Sequence, residues 1–371
     1  MLGTFFTIVC VLAAAAGILL FPSAAAEGAR TGLRFCGEIL VPSIFPFMVL
    51  SAFVVKSGVA SRLSTVLQPV TRRLFRLPGC TGATIVIGLI GGYPAGARGI
   101  KALIERGDIT PAQGERMLSF AVGAGPAFVI SVVGTGLLGS GTAGVILFFS
   151  QIAAAILIGI FTGHFFQDPR PSAPLHKTET PSDPDFTTAL VESSADSTNG
   201  MLNMCAFVVL FSAVLNIMRV SGASGWITSA LMALGLSEST ASSLLSILLE
   251  VTSGCTEASR AGASPTLISF ALGWSGACVH FQIAASLNGV RFSRMHFTLF
   301  RFVHGLLAAL LSAAAFHFFP DTAAEVFSNV SQQMQPDFAA NPAGSVMLIV
   351  VCAVFLFTLS AQKIDFRRKK C

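Results

Sequence analysis

Two arginines stand six residues after a glycine in otherwise apolar surroundings: Arg98 in GYPAGAR, counted from Gly92, and Arg260 in GCTEASR, counted from Gly254. An arginine at membrane depth is costly enough that it is expected to face a cavity or a partner. Two guanidinium forks in matched register suit a pair of carboxylates or a phosphate through bidentate bonds. The alternative is that each arginine closes a helix end at the interface and reaches out to water. Groups that could complete an anion site lie nearby in sequence. They are Gly92 and Tyr93 in the first string, Ser119, Gly123 and Gly125 around GAGP, Ser253 and Thr256 in the second string, and Gln282 and Asn288 in GACVHFQIAASLNG. Small residues there serve close helix packing equally well. Three groups are candidates to carry a proton alongside the anion: His280, because an unperturbed histidine changes charge near neutral pH, Glu250 and Glu257. Each has a plainer alternative, since a buried histidine is usually bonded to a neighbour, and either glutamate could simply pair with Arg260.

The elements that position these groups are membrane helices. The chain has 371 residues, of which 53% are hydrophobic and 11% charged. A soluble domain carries about a quarter charged residues, so a soluble protein is excluded. Apolar runs fall at 2–21, 33–55, 83–90, 117–138, 142–166, 201–218, 241–251, 265–287, 297–319 and 346–360. A helix needs roughly 20 apolar residues to cross the hydrocarbon core, and several of these runs reach that length. Others are too short or too interrupted. The run 33–55 carries Pro42 and Pro46, and 117–138 is interrupted by GAGP at Gly123 to Pro126, so neither keeps an unbroken hydrogen-bond ladder. The run 83–90 ends in GGYPAGAR. Irregular backbone survives at membrane depth only inside protein or beside water, which makes these interruptions the expected site. RLSTVLQPVTRRLFRLPG, with Arg62, Arg72, Arg73 and Arg76, reads as a helix lying on the cytoplasmic surface.

A proline-rich, charged stretch from Gln167 to Phe186 divides the chain, and the two sides repeat each other in order. KSGVASRLSTVL from Lys56 matches RVSGASGWITSAL from Arg219. The run 84–90 matches 246–252, GYPAGAR matches GCTEASR, and SFAVG at Ser119 matches SFALG at Ser269. Interrupted hydrophobic segments in corresponding positions of two halves point to a transporter's binding site. The physical reason is that a helix broken inside the membrane leaves free amides and a dipole end able to hold an anion.

PSIFPFMVLS, the long stretch from RLFRLPGCTGATIVIG through GGYPAGAR, GERMLSF and GAGPAFVI, and TSGC in the second half together resemble the nucleoside-recognition or gate domain family. Within it the resemblance is to the YlbJ-type sporulation integral membrane proteins, over most of 42–287. This resemblance implies kinship to the gate segments of concentrative nucleoside transporters. It also implies a role in moving dipicolinic acid, a small aromatic dianion, across a membrane during spore formation. The chain departs from the family pattern at GAGP, where an asparagine-containing string is usual.

The fold expected is therefore all-α: a polytopic integral membrane protein of two related halves with broken or re-entrant helices, eight to ten membrane segments in all. The divisions expected are an N-terminal membrane helix at 1–32, a first gate-like repeat at 33–166, a polar linker at 167–199, a second gate-like repeat at 200–290, and C-terminal membrane helices with a basic tail at 291–371. Small residues at Ala24 to Ala26 follow the first apolar run as in a cleaved signal peptide, but no Lys or Arg precedes that run, so it is kept as a membrane helix. Arg367, Arg368, Lys369 and Lys370 place the C-terminus in the cytoplasm, with the loop carrying Asp321, Glu325 and Asp337 outside. Whether the halves are inverted or parallel repeats depends on how many of the short segments cross. The eight cysteines stand singly, without metal-site spacing, and no Walker loop, HExxH or GxSxG occurs, so neither metal, cofactor nor enzymatic chemistry is expected. The expected partners are a small anionic solute, the lipid bilayer, and a coupling ion or partner membrane protein, with no nucleic acid. The function expected is transport of that solute. The alternative is a gate or scaffold subunit that transports nothing alone.

Overall fold

In the computed structural model, residues 2–166, 185–320 and 322 are described, and every regular element among them is helical. The linker stretch 167–184, the acidic loop and the basic tail lie outside the described residues. After α1 (Leu2–Leu20), the chain builds one succession of elements twice.

The first succession opens on α2 (Pro22–Phe35), which runs through a π-helical turn at Cys36–Leu40 into α3 (Val41–Lys56). The prolines expected to interrupt this run do not end it. Pro42 has no N–H to give to the carbonyl four residues back, and the strand of bonds widens instead, the Val41 amide reaching Cys36 O. The result is one apolar rod of 35 residues, Pro22–Lys56. Gly58, left-handed at φ 75°, then starts α4 (Val59–Val70). A second π turn, Thr71–Phe75, ends at Arg76, and the chain bends by 109° into α5 (Gly82–Ile90). The basic stretch 62–76 is thus one arm of a sharply bent pair. After Gly91 and Gly92 comes α6 (Tyr93–Glu105), then α7 (Pro111–Leu118), which opens on a capping box of Thr110 and Gln113. Residues 119–125 are not helical, and the chain turns helical again at Pro126. A π-helical segment, Ala127–Leu137, follows, and α8 (Gly141–Phe165) closes the unit on a Ser140 cap.

The second succession has the same parts. The long rod is α9 (Phe186–Val220), again 35 residues, so the expected boundary at 199/200 falls inside a helix. Left-handed Gly222, φ 79°, starts α10 (Ala223–Ala233). Then come α11 (Glu238–Leu249), a break at Glu250, α12 (Val251–Arg260), α13 (Pro265–Trp274), a break at Ser275, and α14 (Gly276–Ser286). The last helix is α15 (Arg294–Phe318), 25 residues on a Ser293 cap, the counterpart of α8 in length and capping.

Five helices are long and apolar enough to cross a membrane among the described residues, or six if the bent pair counts as a span. The eight to ten segments expected shrink because runs such as 83–90 and 241–251 are half-length pieces beside breaks. The two successions interlock. Helix α2 packs on α9, α15 packs on α8 and α13, and α14 packs on α6. Close approach at the first break needs glycine: a Cβ on Gly96 would stand 2.5 Å from Ala121 O, and one on Gly88 would collide with the same carbonyl.

Candidate functional site

The four breaks meet at the centre. Gly92, at φ 88° and ψ 171°, holds a conformation essentially reserved for glycine, and so turns the chain from α5 into α6 without a side chain in the way. Gly125 packs against this turn, where a Cβ would come within 2.7 Å of Ile90 O. In the second half Glu250 adopts an extended conformation between α11 and α12. Its carboxylate accepts from the amides of Thr252 at 2.9 Å and Ser253 at 2.6 Å. The free amides expected at that helix start are therefore occupied by the protein's own carboxylate, which is 1% exposed.

A cavity of ≈ 50 Å³ lies between the breaks. Gly91, Gly92, Tyr93 and Pro94 line it from the first break, Ala124 and Gly125 from the second, Glu250 to Thr252 from the third, and Gln282 from α14. Ile44, Phe47 and Phe128 make much of the rest apolar. A second, wider cavity of ≈ 550 Å³ is lined by Arg98, Lys101, Glu105, Asp196, Asn199, Asn203 and Ser286 among others. Pro94, Met204 and Gln282 line both. At ~15 Å³ for each water, the inner space holds a few waters, whereas the outer one is of the size that takes a small organic ligand.

Arg98 is half-buried in the outer cavity. Its Nε donates to Pro94 O at 3.3 Å and Nη1 to the Asp196 carbonyl at 2.9 Å, which leaves Nη2 toward α9 at Gly200. The Asp196 carboxylate is drawn to Lys56 instead, at 2.8 Å. Arg260 holds the matching register in α12 but is exposed and lines neither cavity. Glu257 does not turn to it either. Its carboxylate takes a hydrogen bond from Ser246 Oγ and an ion pair from Arg219.

The remaining candidates divide in the same way. Gln282 lines both cavities, with Nε2 3.2 Å from Cys278 Sγ. Ser119 is buried, its hydroxyl turned back to Glu115 O at 3.3 Å, and the Gly123 amide donates to Gly88 O at 3.3 Å, so both residues build the break without lining a cavity. Ser253 gives its amide to Glu250, and Thr256 turns its hydroxyl to Thr252 O at 2.9 Å. His280 stands between the rings of Trp274 and Phe297, at 4.7 and 5.1 Å, and faces neither cavity. Asn288 is exposed beyond α14.

Sequence reasoning missed Arg301. It sits in α15 with 0% exposure, and its donors reach Val122 O at 2.6 Å, Ser275 Oγ at 2.7 Å and the Gly273 carbonyl. Its guanidinium carbon lies 5.7 Å from the centre of the Tyr93 ring. Tyr93, the chain's single tyrosine, donates its hydroxyl to Leu272 O at 2.7 Å. Gln151 of α8 adds a link to Ser269, 2.9 Å to the carbonyl and 3.2 Å to the hydroxyl. The signal was present in LFRFVHG, where Arg301 and His304 lie three apart on one face of an apolar helix.

Residues 39–181 match the family model described as Gate: Nucleoside recognition. The chain is 26% identical over 319 residues to the sporulation integral membrane protein YlbJ of Bacillus subtilis (strain 168), covering 80% of this chain and 78% of that protein. Among solved structures it has a distant likeness to a CNTnw variant in the intermediate 3 state, at a TM-score of 0.40 and 14% identity, covering 90% of this chain and 86% of that one. The chain is thus an all-helical, multi-pass membrane protein whose residues 39–181 match the Gate (nucleoside recognition) family model and which is similar along most of its length to a sporulation integral membrane protein.

Proposed function

We propose that this protein moves a small anionic organic solute across a membrane by alternating access. The observation that carries the reading is the convergence of broken helices from both halves on one inner cavity, which shares Pro94, Met204 and Gln282 with an outer cavity bearing Arg98. Broken helices paired across two repeats are how transporters expose a midplane site to one side and then the other. The inner space as it stands admits only waters, which fits a state closed over the site.

The two cavities suggest how an aromatic dianion would sit. Arg98 and Lys101 offer charge in the outer cavity, while the inner wall offers the rings of Phe47 and Phe128 and the carboxylate of Glu250. Carboxylates therefore face Arg98, and an uncharged ring leads inward. Dipicolinate, the solute implied by the resemblance to YlbJ-type proteins, has this shape and charge. A forespore membrane is the corresponding location, with the C-terminus in the cytoplasm.

Uptake of labelled dipicolinate into proteoliposomes tests the reading. Wild type shows saturable uptake. Arg98→Ala lowers it at least about tenfold, the loss expected for one charge-assisted contact, while exposed Arg260→Ala stays within about twofold. Failure of well-folded wild type to take up dipicolinate, other dicarboxylates or nucleosides would replace the transporter with a gate subunit that works only beside a partner.

A further inference from the structure

Arg301 is a buried cation whose described partners include no carboxylate. Besides the three acceptors given above, Nη1 lies 3.2 Å from His304 Nδ1. Two of its acceptors are backbone carbonyls, one from each half. Val122 O belongs to the non-helical break between α7 and the π-helical segment, and Gly273 O to the last turn of α13. The final carbonyls of a helix have no partner within it, and they carry the negative end of its dipole. Helix ends broken inside a membrane protein are for this reason places where cations are held by backbone oxygen. Here one such end, that of α13, and a carbonyl of the non-helical break in the first half meet a single guanidinium that comes from α15.

We propose that Arg301 is a tethered cation: its guanidinium fills the cation position formed by the non-helical break after α7 and the end of α13, so both breaks are held without a dissociable ion. Three features of the geometry support this over plain packing. Both Nη atoms of the guanidinium donate to backbone or hydroxyl oxygens. Its planar fork bridges a carbonyl of the first-half break and one at the end of α13, a span wider than a compact ammonium covers. The face of Tyr93, on the first break, covers it from another side. Position seven of α8, counted from its first residue as zero, holds Phe148 where α15 holds Arg301, so the device exists once, not twice.

The inference stands apart from any solute or transport activity, and its test uses neither. The melting temperature of the purified full-length protein in detergent is followed in sodium, potassium and choline chloride at equal ionic strength. Wild type melts at the same temperature in all three. Arg301→Ala, which leaves both carbonyls facing an empty space, melts several degrees lower. Millimolar guanidinium chloride, far below denaturing levels, then restores much of the loss. Arg301→Met fills the space with an apolar chain and is not rescued. A wild type that needs sodium for its stability, or an Arg301→Ala protein that folds yet gains nothing from guanidinium, overturns the proposal. Where neither neutral variant folds, Arg301→Lys decides. A folded lysine variant, insensitive to the added cation, supports a requirement for charge, and one no better than Arg301→Met overturns it.

Discussion

Helices α8 and α15 are both 25 residues long, both open on a serine cap and both close before a phenylalanine, yet at the same position from their starts one carries Phe148 and the other Arg301. The breaks differ in the same sense. The first half turns at Gly91 and Gly92, with backbone and no side chain at the corner, whereas the second turns at Glu250 and fills its own helix start with a carboxylate. A common backbone plan sets where each helix breaks, and side chains decide what satisfies the exposed ends. Glycine leaves the first break open to a neighbour. Charged groups make the second break, and the junction beneath it, complete in themselves. The open half carries Arg98 beside a cavity, and the self-satisfied half leaves Arg260 outside.

The comparison can be broken most directly at Glu250. Glu250→Ala strands two buried amides and is expected to cost about 2–4 kcal/mol, while Glu250→Gln keeps an acceptor at the helix start and loses less than half as much. Equal thermal stability of the alanine variant and wild type would mean that the second half is not capped by its own side chain. The next effect tests the open half. Gly92→Ala forces a side chain into backbone that glycine alone adopts comfortably, with an expected cost of about 1–3 kcal/mol while the surrounding packing stays as it is. Because a Cβ there meets almost nothing, only Gly125 N at 3.9 Å, the cost is one of conformation alone. A neutral Gly92→Ala in a melting experiment would show that the corner is not held in this geometry. The smallest effect sharpens the picture. Gly123→Ala places its Cβ in open space at ordinary φ, so its stability in a melting experiment stays within about 0.5 kcal/mol of wild type, in contrast to Gly88→Ala, whose Cβ collides with Ala121 O.

Much of this was legible from residue order. GGYP and GAGP mark breaks because glycine and proline cannot sustain a ladder in apolar surroundings, and the SG turns at Ser57 and Ser221 start corresponding helices in both halves. Pro42 misled, since a π turn absorbs a missing donor that a strict α-helix could not. Glu250 was noticed but not its role: EVTSG places a carboxylate just ahead of a helix start, and that reading needs the break to be located first. Arg301 looked like one charge in a long apolar helix, and nothing nearby in sequence names Val122 or Gly273 as its partners.

By itself the sequence determined that this is a helical membrane protein of two repeats and where most of its helices are interrupted. Those features follow from hydrophobic length, the absence of charge, and the local chemistry of glycine and proline. Only the tertiary structure decided which arginine matters where. Arg98 and Arg260 share one register and cannot be told apart along the chain, but α9 and α14 enclose the first beside a cavity while the second ends its helix exposed. Burial and partner choice are set by contacts between segments tens to hundreds of residues apart, and a local pattern carries no record of them.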